Sequence, residues 1–201
     1  YKRAALDDEI SKQFLQKYME SLDYSRMVFL QSDYDEFQNK YGTLLDNLTK
    51  RGDVSPAFEI HERYTNRLKT SHSWLEEIIN QKFDFSINET FTPDRTKSDW
   101  PKNEEEARTL WHKRIKYELL GNRLSKRRSV EAMKAQNEGK EPIKKSDGTN
   151  VKPYNIKEEK EKISRRYERF LRVRTEMDSG DVLQYYLTAL SNEYDPHSDY
   201  F

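Results

Sequence analysis

Residues 55–80 have the sequence SPAFEIHERYTNRLKTSHSWLEEIIN and carry large apolar side chains at the spacing of one helical face. Ser55 and Pro56 form a start signal, since serine caps helices and proline is favoured at the first helical position. With a rise of 1.5 Å per residue, the helix would extend over roughly 37 Å. The stripe consists of Ile60, Tyr64, Leu68, Leu75 and Ile79. We therefore expect this helix to form the centre of the fold.

Five further segments have a helical pattern. They cover approximately residues 6–22, 32–52, 103–135, 156–177 and 182–194. Ser32 with Asp35 resembles a capping box at the start of the second segment. Gly121 predicts a bend or an end in the 103–135 segment, because glycine weakens a helix. Residues 179–181, Ser-Gly-Asp, are expected to separate the last two helices.

Two segments between these helices are predicted loops. Residues 84–102 hold Pro93, Pro101 and many polar residues, which is typical of a surface loop. Residues 136–155 are rich in lysine and glycine and predict one long loop. The predicted fold is thus all-α, a single domain of about six helices over residues 1–194.

Composition narrows the class of function. The 36 Lys and Arg residues balance the 36 Asp and Glu residues, so neither a nucleic acid nor an anionic membrane is expected as a partner of the whole chain. The 13 Tyr, 9 Phe and 3 Trp residues supply the buried area that a helical core needs. The absence of cysteine excludes disulfide and thiolate chemistry. No apolar run is long enough to span a membrane, so we expect no membrane insertion.

The sequence predicts no active site. The four histidines are His61, His72, His112 and His197. None has another histidine three or four residues away, which is the spacing of a helical metal site. There is also no glycine-rich phosphate loop and no nucleophile elbow. We therefore predict no catalytic residue, no metal and no cofactor.

The segment 156–177 permits two interpretations. Its arginines stand beside Tyr167 and Phe170, as in a helix that binds nucleic acid or an acidic peptide. Glutamates interleave with them, and alternating charge is typical of a solvated helix held by ion pairs. We favour the ion-paired helix and keep a nucleic-acid-binding module as the alternative function. Its inward face is predicted as Ile163, Tyr167, Phe170, Leu171 and Met177.

The sequence after the last helix, residues 195–201, is DPHSDYF. Proline, aspartate and serine end a helix and favour a turn. The final aromatic pair is unusual for a frayed terminus. We therefore expect this segment to begin a junction to a further region of the protein.

Four blocks of residues recur in the order known from one peptidase family. The blocks are residues 6–25 (Leu6 to Ser11, Phe14, Tyr18 and Leu22 to Ser25); residues 29–37 (Phe29 to Asp33 and Phe37); residues 100–119 (Trp100 to Glu105, Trp111, Lys116, Glu118 and Leu119); and residues 165–200 (Arg165 to Tyr167, Asp181, Val182 and Asp195 to Tyr200). With these blocks the chain resembles the N-terminal domain of the tail-specific, or C-terminal-processing, serine peptidases of the large bacterial periplasmic type.

The resemblance implies a periplasmic helical domain that precedes a PDZ module and a peptidase core. A Ser nucleophile and a Lys general base would lie beyond Phe201, so no catalytic residue is carried onto this chain. The implied role is a scaffold that binds unfolded protein substrates or a helical adaptor protein. The family junction would comprise Asp195, Pro196, His197, Ser198 and Tyr200. The 136–155 stretch departs from the family in being longer.

Overall fold

The structure, a computed structural model, describes residues 6–136, 154–195 and 197–200. Over these residues the chain forms seven α-helices and no β-strand, which confirms the predicted all-α class. The helices are α1 (Asp8–Leu22), α2 (Gln31–Tyr41), α3 (Leu45–Lys50), α4 (Ser55–Asn80), α5 (Glu104–Gln136), α6 (Ile156–Thr175) and α7 (Ser179–Tyr194). The predicted loop at 136–155 lies outside the described residues except for its ends.

The predicted second helix is two helices, because the chain turns at Gly42. A Cβ atom at Gly42 would come within 2.5 Å of the Gln38 carbonyl oxygen, so only glycine fits this turn. The predicted capping box of Ser32 and Asp35 is wrong. Leu30 is the N-cap residue instead, and its N–H donates to the Asp33 carboxylate at 2.9 Å.

Two other predicted boundaries are also wrong. Helix α5 continues through Gly121, so the helix does not end at this glycine. Helix α7 begins at Ser179, since Asp178 caps it and Asp181 completes a capping box. Residues 179–181 are therefore the first turn of α7 and not a separate linker.

Helix α4 lies at the centre of the fold, as predicted, and packs against α1, α2, α5, α6 and α7. Helix α1 packs against α7, and an aromatic cluster joins them. The Tyr186 ring lies 4.6 Å from the Phe14 ring and 5.1 Å from the Tyr18 ring, and all three side chains are fully buried. Tyr18 also donates to the Ala57 carbonyl at 2.9 Å, which connects α1 to the start of α4.

The start of α2 is held to α4 by a buried carboxylate. Asp33 accepts from Arg63 Nη1 at 2.7 Å and from Arg67 Nε at 2.9 Å. Burial by itself would raise the pKa of Asp33. The hydrogen bonds from Arg67, the Leu30 N–H and Arg63 outweigh burial and hold the pKa below its ordinary value.

This lowered pKa predicts a pH-dependent effect of Asp33→Asn. The Asp33 carboxylate stabilises the fold above the ordinary carboxyl pKa of about 4, and this contribution is lost as the pH falls through the lower folded value. We expect the variant to unfold more easily by about 1.5–3 kcal/mol near neutral pH. The difference from the parent chain should shrink as the pH falls below about 4.

Urea unfolding at a series of pH values measures this dependence. Asp35→Asn, an exposed position on the same helix, serves as the control. A difference for Asp33→Asn that stays constant with pH would contradict the assignment.

Candidate functional site

The connector between α1 and α2 is organised by the buried carboxylate of Asp23. Its Oδ1 accepts from the Met27 N–H at 3.0 Å. Its Oδ2 accepts from the N–H groups of Val28 and Phe29 at 2.9 and 3.0 Å and from Trp100 Nε1 at 3.0 Å. Burial raises the pKa of Asp23, and these four hydrogen bonds act in the opposite direction. The carboxylate therefore fixes the connector and the position of Trp100 together.

Arg26 adds a second contact between the connector and the loop before α5. It has a φ of 50°, a conformation that a non-glycine residue adopts only when its surroundings impose it. Its guanidinium lies 4.9 Å from the Trp100 ring centre and donates to the Ser98 carbonyl at 2.7 Å. These contacts with Trp100 and Ser98 hold Arg26 in this conformation.

Trp111 connects the same region to α5 and α6. Its Nε1 donates to the Met27 carbonyl at 3.1 Å, and its ring stands nearly perpendicular to the Tyr167 ring, with the two ring centres 5.4 Å apart. The Gln31 N–H donates to the Pro101 carbonyl at 2.8 Å. The block that contains Trp100 and Trp111 and the block that contains Tyr167 thus meet around the Asp23 connector.

A groove of about 410 Å³ opens where these elements meet, between the end of α1, α4, α5 and α6. We call it the Tyr64 groove. It is lined by apolar and aromatic side chains from the connector and the helices, and by three arginines at its rim. The lining residues are Ser21, Leu22, Asp23, Tyr24, Ser25, Met27, Val28, Tyr64, Trp111, Arg114, Arg166, Tyr167, Phe170 and Arg174.

Two aromatic residues of the groove are exposed to solvent. Tyr24 is 75% exposed and Phe170 is 38% exposed. The prediction that Phe170 faces inward was wrong, because α6 packs through Ile163 and leaves the Phe170 side open. Exposed aromatic side chains beside a concave surface are typical of a binding site.

The three arginines at the rim differ in their partners. Glu118 accepts from Arg114 Nε at 2.7 Å, from Arg166 and from the Tyr167 hydroxyl at 2.9 Å. Arg174 donates to the Tyr185 hydroxyl at 2.9 Å, and no carboxylate in the described part of the chain forms an ion pair with it. The rim therefore carries more positive than negative charge.

Tyr64 of α4 lines the groove and has no exposed surface. Its hydroxyl has no hydrogen-bond partner among the described residues. Burial raises the pKa of Tyr64, and the nearby Asp23 carboxylate raises it further while Arg174 acts in the opposite direction. The hydroxyl thus stays protonated as a hydrogen-bond donor.

The basic residues of α6 form ion pairs at two points. Lys162 lies 2.7 Å from Glu159, and Arg166 pairs with Glu118 of α5. This arrangement agrees with the ion-paired helix that the alternating charges favour. We expect no measurable retention of short DNA or RNA at about 0.15 M salt, since neighbouring carboxylates oppose contact with phosphates. Strong binding that weakens steeply with salt would instead support the nucleic-acid alternative.

The predicted junction residues lie at the end of α7. The Asp195 carboxylate accepts from the His197 N–H at 3.1 Å and from Ser198 Oγ at 2.8 Å, which forms the expected turn. The Tyr200 N–H donates to Thr188 Oγ1 at 3.2 Å, so the segment folds back along α7. Pro196 lies outside the described residues. The role of this turn as a junction stays a prediction.

The four histidines lie apart: His61 and His72 in α4, His112 in α5 and His197 after α7, where its side chain is 93% exposed. Among the described residues, no group of three or more His, Cys, Asp or Glu side chains could hold a metal ion. None of the described helices is both long and apolar enough to cross a membrane.

The sequence does not predict the four hydrogen bonds that the Asp23 carboxylate accepts, and it does not predict that the Tyr64 hydroxyl lacks a partner among the described residues. Asp23 belongs to a quoted block, but nothing in the sequence pairs it with Trp100, which lies far along the chain. The apolar stripe of α4 includes Tyr64 because its ring fits that face. A hydroxyl at a core position is the signal that could have marked it, since a buried hydroxyl normally needs a partner.

Comparisons with known proteins identify the family. The family model described as the tail specific protease N-terminal domain matches residues 1–201, the whole chain. The chain is 28% identical over 200 residues to the tail-specific protease of Haemophilus influenzae (strain ATCC 51907 / DSM 11121 / KW20 / Rd). The alignment covers 100% of this chain and 25% of that relative, so the chain spans about a quarter of the relative's length. The resemblance noted in the sequence is confirmed, and the chain belongs to the family of tail specific protease N-terminal domains.

Proposed function

We propose that the chain is a non-catalytic helical domain of a periplasmic serine endopeptidase that degrades proteins from or near their C-termini. PDZ and peptidase domains later in the protein would supply the Ser/Lys dyad. In such a dyad a desolvated lysine is neutral and accepts the serine proton. The helical domain would hold unfolded substrate, or an adaptor that delivers it, close to that dyad.

The Tyr64 groove is the observation that carries this proposal. It is concave, largely apolar and bordered by exposed aromatic and basic side chains. Its volume of about 410 Å³ lies within the range of ligand pockets. Part of its lining, including Asp23, Trp111 and Tyr167, belongs to the blocks that carry the resemblance to the family.

Binding in the groove would help catalysis by proximity. A substrate held on this domain reaches the dyad within the same molecule, so its effective concentration there rises without any new contact at the active site. This predicts that substitutions in the groove raise KM for protein substrates and leave kcat unchanged.

Tyr24→Ala in the full-length protease tests the proposal. Tyr24 is 75% exposed, so its removal should leave the fold intact. We expect KM for an unfolded protein substrate to rise about three- to tenfold, with little change in kcat, because only binding contacts are lost.

Tyr117→Ala is the matched control, since Tyr117 is 44% exposed and lies on α5 outside the groove. Steady-state kinetics on both variants decide the matter. Equal KM values for the two variants and the parent protease would rule out substrate binding in the Tyr64 groove.

A further inference from the structure

The second half of α5 is exposed, although α5 packs into the core through its first half. Trp111, Ile115 and Leu119 are buried, whereas none of the described residues from Leu120 to Glu131 is buried. This exposed half extends over roughly three turns, or about 18 Å. It lies apart from the Tyr64 groove. Its surface is therefore open to contact with an element from outside this domain.

The exposed half of α5 carries a cluster of positive charge. The cluster consists of Arg123, Lys126, Arg127 and Arg128. Between residues 120 and 131 there is one carboxylate, Glu131, and it pairs with Arg127 at 2.7 Å. The whole chain has no net charge, so the cluster is a local feature of this helix. Its charge favours a partner surface that carries carboxylates.

A hollow of about 410 Å³ lies along the same half of α5. Beyond residue 119 its lining comprises Leu120, Gly121, Leu124, Ser125, Arg128 and Ser129, which we call the Leu124 face. The spacing of these residues places them on one side of the helix. Leu124 is 43% exposed. The Leu124 face is thus concave, apolar in its middle and basic at Arg128.

Gly121 has no structural reason within this domain. A Cβ atom at Gly121 would meet no other atom within 4 Å, so the fold of the chain leaves room for a side chain there. Glycine inside a helix destabilises it relative to alanine. A helix from outside that packs closely on α5 supplies the reason, because the missing side chain lets the two backbones approach each other.

The size of the Leu124 face favours an element of the same polypeptide over a separate protein. A stable complex between separate proteins uses roughly 20–30 residues on each side, more than three helical turns supply. Docking within one polypeptide needs less contact, because little translational and rotational freedom is lost. The aligned region makes up 25% of the Haemophilus influenzae relative, so most of that protein lies outside the region that corresponds to this chain. The inference rests on the proposed function, in which later domains follow in the same protease.

The shape and charge of the face restrict the element further. A hollow along a helix fits another α-helix, since ridges of side chains pack into the grooves of a neighbouring helix. A second copy of this chain docked through the same face would bring Arg128 and the cations beside it together. Like charges in contact oppose association. The element is therefore a helix with acidic residues.

We propose that the Leu124 face binds an α-helix from a later domain of the same protease, and that this helix presents an aspartate or glutamate to Arg128. An apolar side chain of the docked helix covers Leu124, and its backbone approaches α5 at Gly121. The carboxylate forms an ion pair with the Arg128 guanidinium. The contact fixes the orientation of the Tyr64 groove relative to the peptidase domain.

Thiol labelling of the full-length protease and of the isolated chain, whose helices form their own core, tests the contact. The chain contains no cysteine, so Ser125→Cys adds its only thiol on the Leu124 face. Ser73→Cys, at an exposed position of α4, is the control. Peptide mass spectrometry reads the labelling rate at each position. We expect Ser125→Cys to react at least about tenfold more slowly in the full-length protease, because labelling requires the docked helix to open. Ser73→Cys should react at similar rates in both proteins.

Two substitutions combined with Ser125→Cys test the chemistry of the docked helix. Arg128→Glu repels its carboxylate, and Leu124→Asp removes the apolar contact. Both positions are exposed, so urea unfolding of the isolated chain should stay unchanged. We expect each substitution to reduce the difference in labelling rate between the full-length protease and the isolated chain at least about threefold. Lys12→Glu, an exposed charge reversal on α1, should leave that difference as it is.

Equal labelling of Ser125→Cys in both proteins would overturn the inference, and so would an Arg128→Glu variant that behaves like Lys12→Glu. Protection that depends on protein concentration would assign the Leu124 face to a second copy and overturn it as well. Failure of the proposed function is a separate result. Protection of Ser125→Cys together with an unchanged KM for Tyr24→Ala would keep the docked helix and remove substrate binding in the Tyr64 groove.

Discussion

Asp23→Ala is expected to lower the free energy of unfolding of this chain by about 3–5 kcal/mol. The substitution leaves three backbone N–H groups and Trp100 Nε1 without an acceptor in a buried region. Each unsatisfied donor costs about 1–3 kcal/mol, and the loss of a costly buried charge offsets part of the sum. The connector and Trp100 should loosen together.

Urea unfolding followed by tryptophan fluorescence measures this loss. Asp23→Asn should lose less than Asp23→Ala, because its amide oxygen still accepts from some of the donors. Asp99→Ala is the matched control, since Asp99 is exposed and lies next to Trp100. A loss below about 1 kcal/mol for Asp23→Ala, the size of an ordinary surface hydrogen bond, would refute the role of Asp23 as an organising residue.

The second large effect concerns the packing of α7. Tyr186→Ala removes a fully buried ring from between Phe14 and Tyr18 of α1. Truncation of a large aromatic residue in a core lowers the free energy of unfolding by about 3–5 kcal/mol, because apolar surface is no longer buried and a cavity remains. Hydrogen exchange should show α7 losing protection more than α4, because α4 keeps its contacts with α5 and α6.

Two further variants show whether the loss of stability comes from the Tyr186 ring. One removes only the hydroxyl of Tyr186, and the other removes a tyrosine from the surface. Tyr186→Phe loses only a 3.4 Å contact with Thr49, so its loss should stay within about 1 kcal/mol. Tyr24→Ala removes an exposed tyrosine and should change stability by less than about 0.5 kcal/mol. Similar losses for Tyr186→Ala and Tyr186→Phe would show that the ring does not hold α7 in place.

The periodicity of apolar residues predicted most helices because each helix buries one face in a common core. The stripe of Ile60, Tyr64 and Leu68 predicts α4, and the helical pattern over residues 182–194 predicts most of α7. The boundaries depended on contacts that lie far apart in sequence. The turn at Gly42 follows from a close approach to Gln38, and the start of α2 follows from Asp33, which is held by Arg63 and Arg67 of α4.

The candidate site was less predictable for a physical reason. A helical stripe tells which face is apolar, but it does not tell whether another helix covers that face. Phe170 belongs to the stripe of α6 and remains exposed because the elements around it leave a groove. The missing partner of the Tyr64 hydroxyl likewise depends on the arrangement of α1, α4 and α6, which no single segment encodes.

The most direct test of the account combines binding and cleavage in one sample. The isolated chain is titrated with a permanently unfolded protein, and mass spectrometry follows the appearance of new chain ends. We predict saturable binding that Tyr24→Ala weakens, with no new ends at any concentration. New chain ends that depend on this domain, or no binding at all, would contradict a catalytically silent domain that holds substrate.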